Sequence, residues 1–120
     1  MIPHNLDPFG IPQHDPGAKL DAGKTMAALL EDFGLALAAV AEICTHGAQK
    51  YSENGWEHVP NGEKRYRHAM WRHLLHRKQN PIDEDSGLDA DWHFAWNVLA
   101  SLELKLRRQM GLKPEENKRS

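Results

Sequence analysis

The sequence predicts an all-α fold, and three observations carry that expectation. Apolar residues recur at steps of three and four through three separate stretches, no stretch alternates with period two, and helix start and stop residues lie at the boundaries. In the first stretch, from about Phe33 to Tyr51, Phe33, Leu37, Val40, Cys44 and Ala48 share a face. The preceding "MAALL" is able to form a short extra turn. The second stretch runs from about Gly62 to Lys78 with Tyr66, Met70, His73, Leu74 and Arg77 on one face. Asn61 is its expected N-cap, and Asn80-Pro81 lies beyond its end. The third stretch opens at Ser86, whose spacing to Asp89 imitates a capping box with Asp in place of Glu. Leu88, Trp92, Ala95, Trp96, Leu99, Leu102 and Leu106 form its expected core stripe, and Gly111 closes it.

A chain of 120 residues and 13.7 kDa is one domain, or one domain with tails. Residues 1–24 carry four of the seven prolines and no period, which reads as an extended arm. Residues 25–111 then form the all-α domain, and 112–120 a charged tail. Net charge is −2 with a pI of about 6.4, so no global basic field draws the chain to nucleic acid. No apolar run approaches membrane-spanning length, and the N-terminus lacks the regions of a signal peptide, so a cytoplasmic setting is expected. The single Cys44 excludes an intrachain disulfide and reads as a small core residue. Ala90, Phe94, Val98 and Leu104 give the third helix a second apolar stripe. A helix contacted on two sides, in a domain with little else to bury, points to a homodimer or higher homo-oligomer that completes a bundle.

Polar chemistry is concentrated in residues 68–97, which hold four of the eight histidines and three of the four tryptophans. Asp89, His93 and Asn97 fall four residues apart and make one ridge; Asp83, Glu84 and Asp85 precede them in a connection. His68, Arg72 and His76 make a ridge on the second helix, where His73 adjoins Arg72. On the first, Glu42 and His46 are four apart, with Lys50 and Tyr51 a turn later. Carboxylates from separate elements, beside an imidazole and an amide, suit a hard cation such as Mg²⁺, and the Lys and Arg beside them suit phosphate. Structural readings stand next to these. Glu42 with His46 is an ordinary helical surface pair, and acidic residues before a helix meet the positive end of its dipole. Trp71, Trp92 and Trp96 read as core. His73 and His93 lie in or beside apolar stripes and require partners there. There is no H-E-x-x-H and no cysteine pair, so zinc has no support.

Taken in order, "DAGKTMAALL", "AVAEICTHGAQKYSENGW", "RYRHAMWRHLLH" and "DEDSGLDADWHFAWNVLASLEL" resemble the dATP/dGTP diphosphohydrolase N-terminal domain family of phages and bacteria. That family is similar to the MazG-like all-α nucleoside-triphosphate pyrophosphohydrolases. The resemblance covers roughly residues 21 to 106. It implies an oligomeric helical bundle, in a bacterial or phage-infected cytoplasm, that converts a purine dNTP to dNMP and pyrophosphate with Mg²⁺ or Mn²⁺. The matching positions are Lys24, Gly47, Lys50, Tyr51, Trp56, Arg72, His73, Leu74, Ser86, Gly87, His93 and Asn97. MazG-like enzymes pair an E-x-x-E helix with an E-x-x-D helix, whereas here Glu42 is followed three residues on by Thr45.

The resemblance places Glu42 and Asp85 at acidic positions consistent with metal ligation, and the chemistry it implies suggests the following roles. Glu42, Asp83 and Asp85 would surround the cation, with Asp89 a ligand or joined through water, and Glu42, Asp85, His93 and Asn97 would form the catalytic set. Lys24, Lys50 and Arg72 would hold phosphates, with His73 alongside. Tyr51 or Trp56 would stack on the base or instead staple the loop to the bundle. Two other classes compete with the hydrolase: a nucleotide-binding protein or sponge without turnover, and a helical protein-interaction module.

Overall fold

The computed structural model describes residues 5–113. The charged tail from residue 114 onward and residues 1–4 lie outside the described residues. The fold is all-α: α1 spans Gly34–Lys50, α2 Gly62–His76 and α3 Ala90–Gln109. Short 3₁₀ helices occupy Ala27–Phe33, where the extra turn was expected, and Gly55–His58. Among the described residues there is no strand, only isolated bridges between Leu6 and Pro12 and between Ile82 and Asp89.

The chain divides into two units, Met1–Asp32 and Phe33–Ser120. In the first, the residues expected as an extended arm form a series of turns around Asp7. Its carboxylate, only 3% exposed with its residue, accepts backbone N–H bonds from Phe9, Ile11 and Lys19. These bonds hold its pKa below the usual value, the Ile11 bond contributing most and burial opposing.

The second unit is built on the packing of α2 against α3, with α1 against α3 as a lesser contact. The face that α3 buries is not the expected stripe. Ala90, Asn97, Ala100 and Ser101 are buried, while Leu99, Leu102 and Leu106 are exposed. Small side chains allow the two helix backbones to approach closely, so the inner face carries alanine and serine while a hydrophobicity count favours the leucines. The Gly62 end of α2 reflects the same closeness, since a Cβ there would come within 3.0 Å of Leu104 and 3.3 Å of Tyr66. Ser101 donates its hydroxyl to the Glu63 carbonyl across this contact. Arg108 clamps the Glu63 carboxylate through two N–H donors.

On α1, too, the buried residue lies off the expected stripe. Ile43 is its buried residue, whereas Cys44, read as core from sequence, is exposed along with Leu37 and Phe33. The i, i+4 chain beginning at Phe33 fixes a period but does not say which neighbouring column faces inward.

Helix ends follow local chemistry. Asn61 does sit at the N-cap of α2, but in the left-handed region (φ 58°) and with no side-chain cap bond. At α3 the cap is Asp89, whose carboxylate accepts the Asp91 N–H, and not Ser86. Gly111 (φ +70°) ends α3 as expected: its N–H bonds the Arg108 carbonyl and that of Leu112 the Arg107 carbonyl, a Schellman turn.

Candidate functional site

The segment between α2 and α3 is folded back on itself by its own backbone. Asp83 N–H bonds the Leu88 carbonyl, Gly87 N–H the Asp83 carbonyl, and Ala90 N–H the Pro81 carbonyl. Gly87 takes φ +72°, a conformation that glycine adopts without a Cβ penalty. The Asp83 carboxylate accepts the Ser86 N–H at 2.8 Å and so closes the turn from within. The result is a stiff loop displaying Asp83, Glu84, Asp85 and Ser86.

α1 and α3 touch this loop through Lys50, His46 and His93, and α2 faces it across a cleft. From α1, Lys50 Nζ lies 2.6 Å from Asp85 Oδ2, and His46 Nε2 is 3.5 Å from the same oxygen. From α3, His93 Nε2 is 2.6 Å from Ser86 Oγ and 4.0 Å from Asp83 Oδ1. Leu88 N–H already donates to Ser86 Oγ, so the serine proton is free to be donated to His93 Nε2. With the serine as donor, the His93 proton lies on Nδ1. From α2, His73 stacks on His93, with centroids 5.0 Å apart and planes 14° from parallel. Arg72, His73, His76, Asn80, Ile82, Asp83, Glu84 and Asp85 line a cleft of about 530 Å³, within the range of small-molecule sites.

The electrostatics split the site in two. Burial pushes the His93 pKa down, and the nearby His73 and His46 add to this against the pull of Asp83. His73 is likewise lowered, first by burial and then by Arg72. Both imidazoles are therefore neutral near pH 7. The carboxylates are ionised. Hydrogen bonding to Lys50 is the main cause that lowers Asp85, with His46 contributing, and the Lys50 ammonium is correspondingly raised. For Asp83 burial is the largest influence and acts upward, but the Ser86 N–H and the two histidines together carry it below the usual carboxylate value.

Of the residues singled out from sequence, Asp83, Asp85, Arg72 and His73 line the cleft, and Lys50 and His93 touch its loop. Glu42 is exposed on α1, one turn before His46. Asp89 is engaged as the α3 cap. Asn97 is buried and donates its side-chain N–H to the His93 carbonyl. Tyr51 is exposed at the end of α1, its ring centroid 5.2 Å from Lys50 Nζ. Trp56 sits in an aromatic cluster, edge-on to Trp96 at 6.0 Å and tilted to Tyr66 at 6.3 Å, with Arg107 5.4 Å from its ring centre. Tyr66 donates its hydroxyl to the Trp56 carbonyl, which ties the Trp56 loop to α2. Lys24 belongs to the other unit. His46 and Ser86 were given no site role from sequence, although Ser86 is one of the positions that carry the resemblance. The His46–Lys50 spacing of four was the available signal for His46, and nothing in the spacing of Ser86 separates a site hydroxyl from a cap.

A resident cation would need several protein ligands, and among the described residues no three His, Cys, Asp or Glu side chains are grouped to hold one. Asp83 and Asp85 on one loop do fit a Mg²⁺ that shares its coordination with substrate phosphates and water, which is how this ion commonly binds. No helix among the described residues is long and apolar enough to cross a membrane. Comparison with curated proteins gives no match, and neither does comparison with solved structures. The family model described as dATP/dGTP diphosphohydrolase, N-terminal, matches residues 14–113, and the chain belongs to that family.

Proposed function

We propose that the cleft binds the phosphates of a purine deoxynucleoside triphosphate and that the domain cleaves it to the monophosphate and pyrophosphate. The observation that carries this reading is the meeting of Asp83, Asp85, Arg72 and His73 in one cleft, with Lys50 bound to Asp85. The family description, which names dATP and dGTP, supports the substrate class. Arg72 and a Lys50 released from Asp85 bind phosphate oxygens. That release costs little, because an exposed ion pair is weak in water. Asp83 and Asp85 would hold Mg²⁺ or Mn²⁺ together with the substrate, whereas Glu42, expected as a further ligand, does not line the cleft. When bound, such an ion neutralises charge on the phosphate oxygens and lowers the pKa of a bound water. His73, neutral and lining the cleft, is suited to accept the proton of the attacking water. The water oxygen joins one phosphorus of the α–β bridge, and the bridging oxygen leaves on the other.

The test is a panel of deoxy- and ribonucleoside triphosphates with Mg²⁺ or Mn²⁺, with monophosphate and pyrophosphate separated by ion exchange. Cleavage of dATP or dGTP that stops with chelator is expected, and absence of turnover with every nucleotide overturns the hydrolase reading. A second reading, a nucleotide-binding domain without turnover, is favoured by one observation: Asp85 is already paired with Lys50, and among the described residues no three His, Cys, Asp or Glu side chains are grouped to hold a cation. It requires a nucleotide-induced rise in melting temperature without product.

A further inference from the structure

We propose that the Asn80 side chain reads the edge of the nucleotide base and that Ile82 seats its face, so that the turn after α2 is the base end of the cleft. The proposal rests on the nucleotide reading above and extends it to the half of the ligand that the charged residues do not address. Along the chain the lining divides by chemistry. Arg72 on α2, with Asp83 and Asp85 on the loop, carries the charge suited to phosphates and a cation. One helical turn beyond Arg72 comes His76, and after it Asn80 and Ile82 bring an amide and an aliphatic chain. Tyr51 and Trp56, expected from sequence to stack on a base, are not among the residues that line this cleft.

Ile82 is 51% exposed in a cleft whose other walls are polar. A flat heteroaromatic ring laid on it takes that apolar surface out of water. Among the described residues the Asn80 amide has no hydrogen-bond partner, so its carbonyl and its two N–H donors are open to a ligand. Backbone bonds fix the placement of both residues. The N–H groups of Gln79 and Asn80 both bond the His76 carbonyl, at 3.1 and 2.8 Å. On either side of Ile82, the Pro81 carbonyl accepts the Ala90 N–H and the Asp83 N–H bonds the Leu88 carbonyl. A subsite held this way loses little freedom when a ligand enters. A carboxamide meets a base edge with one donor and one acceptor. Adenine offers N6–H and N7 to that pair, and guanine offers N1–H and O6. Asn80 is therefore able to pair with both of the bases that the family description names. A carboxylate in its place has acceptors only: it matches N1–H and N2–H of guanine, whereas no edge of adenine sets two donor atoms side by side.

The test is titration calorimetry on the full chain with Mg²⁺, using dATP and dGTP analogues whose α–β bridge is a methylene, and tripolyphosphate as a ligand without a base. Asn80→Asp should raise the dGTP-to-dATP affinity ratio roughly tenfold or more. Taking the ratio cancels the repulsion between the new carboxylate and the phosphates, which both nucleotides share. Asn80→Ala and Ile82→Ser should each weaken both nucleotides and leave tripolyphosphate affinity as it is in wild type. Asn80→Ala keeps its N–H bond to the His76 carbonyl, so its melting temperature should match wild type. An unchanged ratio in Asn80→Asp, or wild-type nucleotide affinity in Asn80→Ala or Ile82→Ser, overturns the base subsite and leaves the phosphate reading standing. Tripolyphosphate affinity that falls in step with nucleotide affinity in Asn80→Ala overturns it as well, because the residue then acts at the phosphate end. A wild type that binds tripolyphosphate and neither nucleotide, or none of the three, overturns the nucleotide reading and this proposal with it.

Discussion

His73 and His93 come from different helices and stack with their planes 14° from parallel and their centroids 5.0 Å apart. Two imidazoles in this arrangement coexist comfortably only when uncharged, and both are held below the free value of 6.5, first by burial. A histidine whose folded pKa is depressed contributes no loss of stability above its unfolded pKa. As pH falls below that value the unfolded chain takes up protons and the folded chain does not, so stability declines until the lowered folded pKa is passed. The melting temperature should therefore fall as pH drops below about 6.5. His73→Phe keeps a ring against His93 and removes one titration, so it should flatten the decline. Asp83 and Asp85 act in a separate window: their depressed pKa values give stability that is lost only as pH falls below the ordinary carboxylate value of 3.8.

Ser86 joins the loop to α3 through His93 and also receives the Leu88 N–H. Ser86→Ala removes both bonds from a half-buried place, with an expected loss of about 1–2 kcal/mol in urea denaturation. The His93 pKa, read from its ring proton shifts by NMR, should change in the same variant.

Asp85 and Lys50 are exposed partners, so neither is expected to matter much for folding. Asp85→Ala should leave the melting temperature nearly unchanged and lower metal-dependent turnover by roughly tenfold or more. Lys50→Ala should instead raise KM for the triphosphate more than it lowers kcat. Equal turnover in wild type and Asp85→Ala would remove Asp85 from the chemistry.

Trp56 gives the opposite pattern. It is packed against Trp96 and Tyr66 and lies beneath Arg107, which also binds Glu57 at 3.0 Å. Trp56→Ala should cost about 2–3 kcal/mol, less than for a fully buried tryptophan. Nucleotide affinity per folded molecule should be unaltered, checked by calorimetry below the melting transition.

The helices were legible because their period repeats over four or five turns, and Gly111 marked the end of α3, although that helix was expected to open at Ser86 and not at Asp89. Which face turns inward was not legible. On α3 the leucines outweigh Ala90, Ala100 and Ser101 in any hydrophobic count, yet close helix contact selects the small residues. In the site, Asp83, Asp85, Arg72 and His73 were legible as chemistry concentrated in one stretch. The Ser86–His93 bond and the His46–Asp85 contact were not, because they depend on how the loop folds over three helix faces. Asn97 was read as a site residue from its ridge with His93, and the structure shows its amide bonded to the turn before it.

The back-folded loop between α2 and α3 has a consequence for the order of assembly. Its cross-bonds join residues only a few positions apart, and the helices it connects are neighbours in sequence and the most heavily packed pair in the chain. Contacts this local close early, since they demand little loop-closure entropy. Asp83, Ser86, His73 and His93 thus all belong to the helical hairpin of α2, the loop and α3, whose pairing starts at the loop. Lys50 and His46 reach Asp85 only when α1 docks, across 35 residues in the case of Lys50. Folding would complete the neutral histidine half of the cleft before its charged half, and α1 would dock onto a loop that is already shaped.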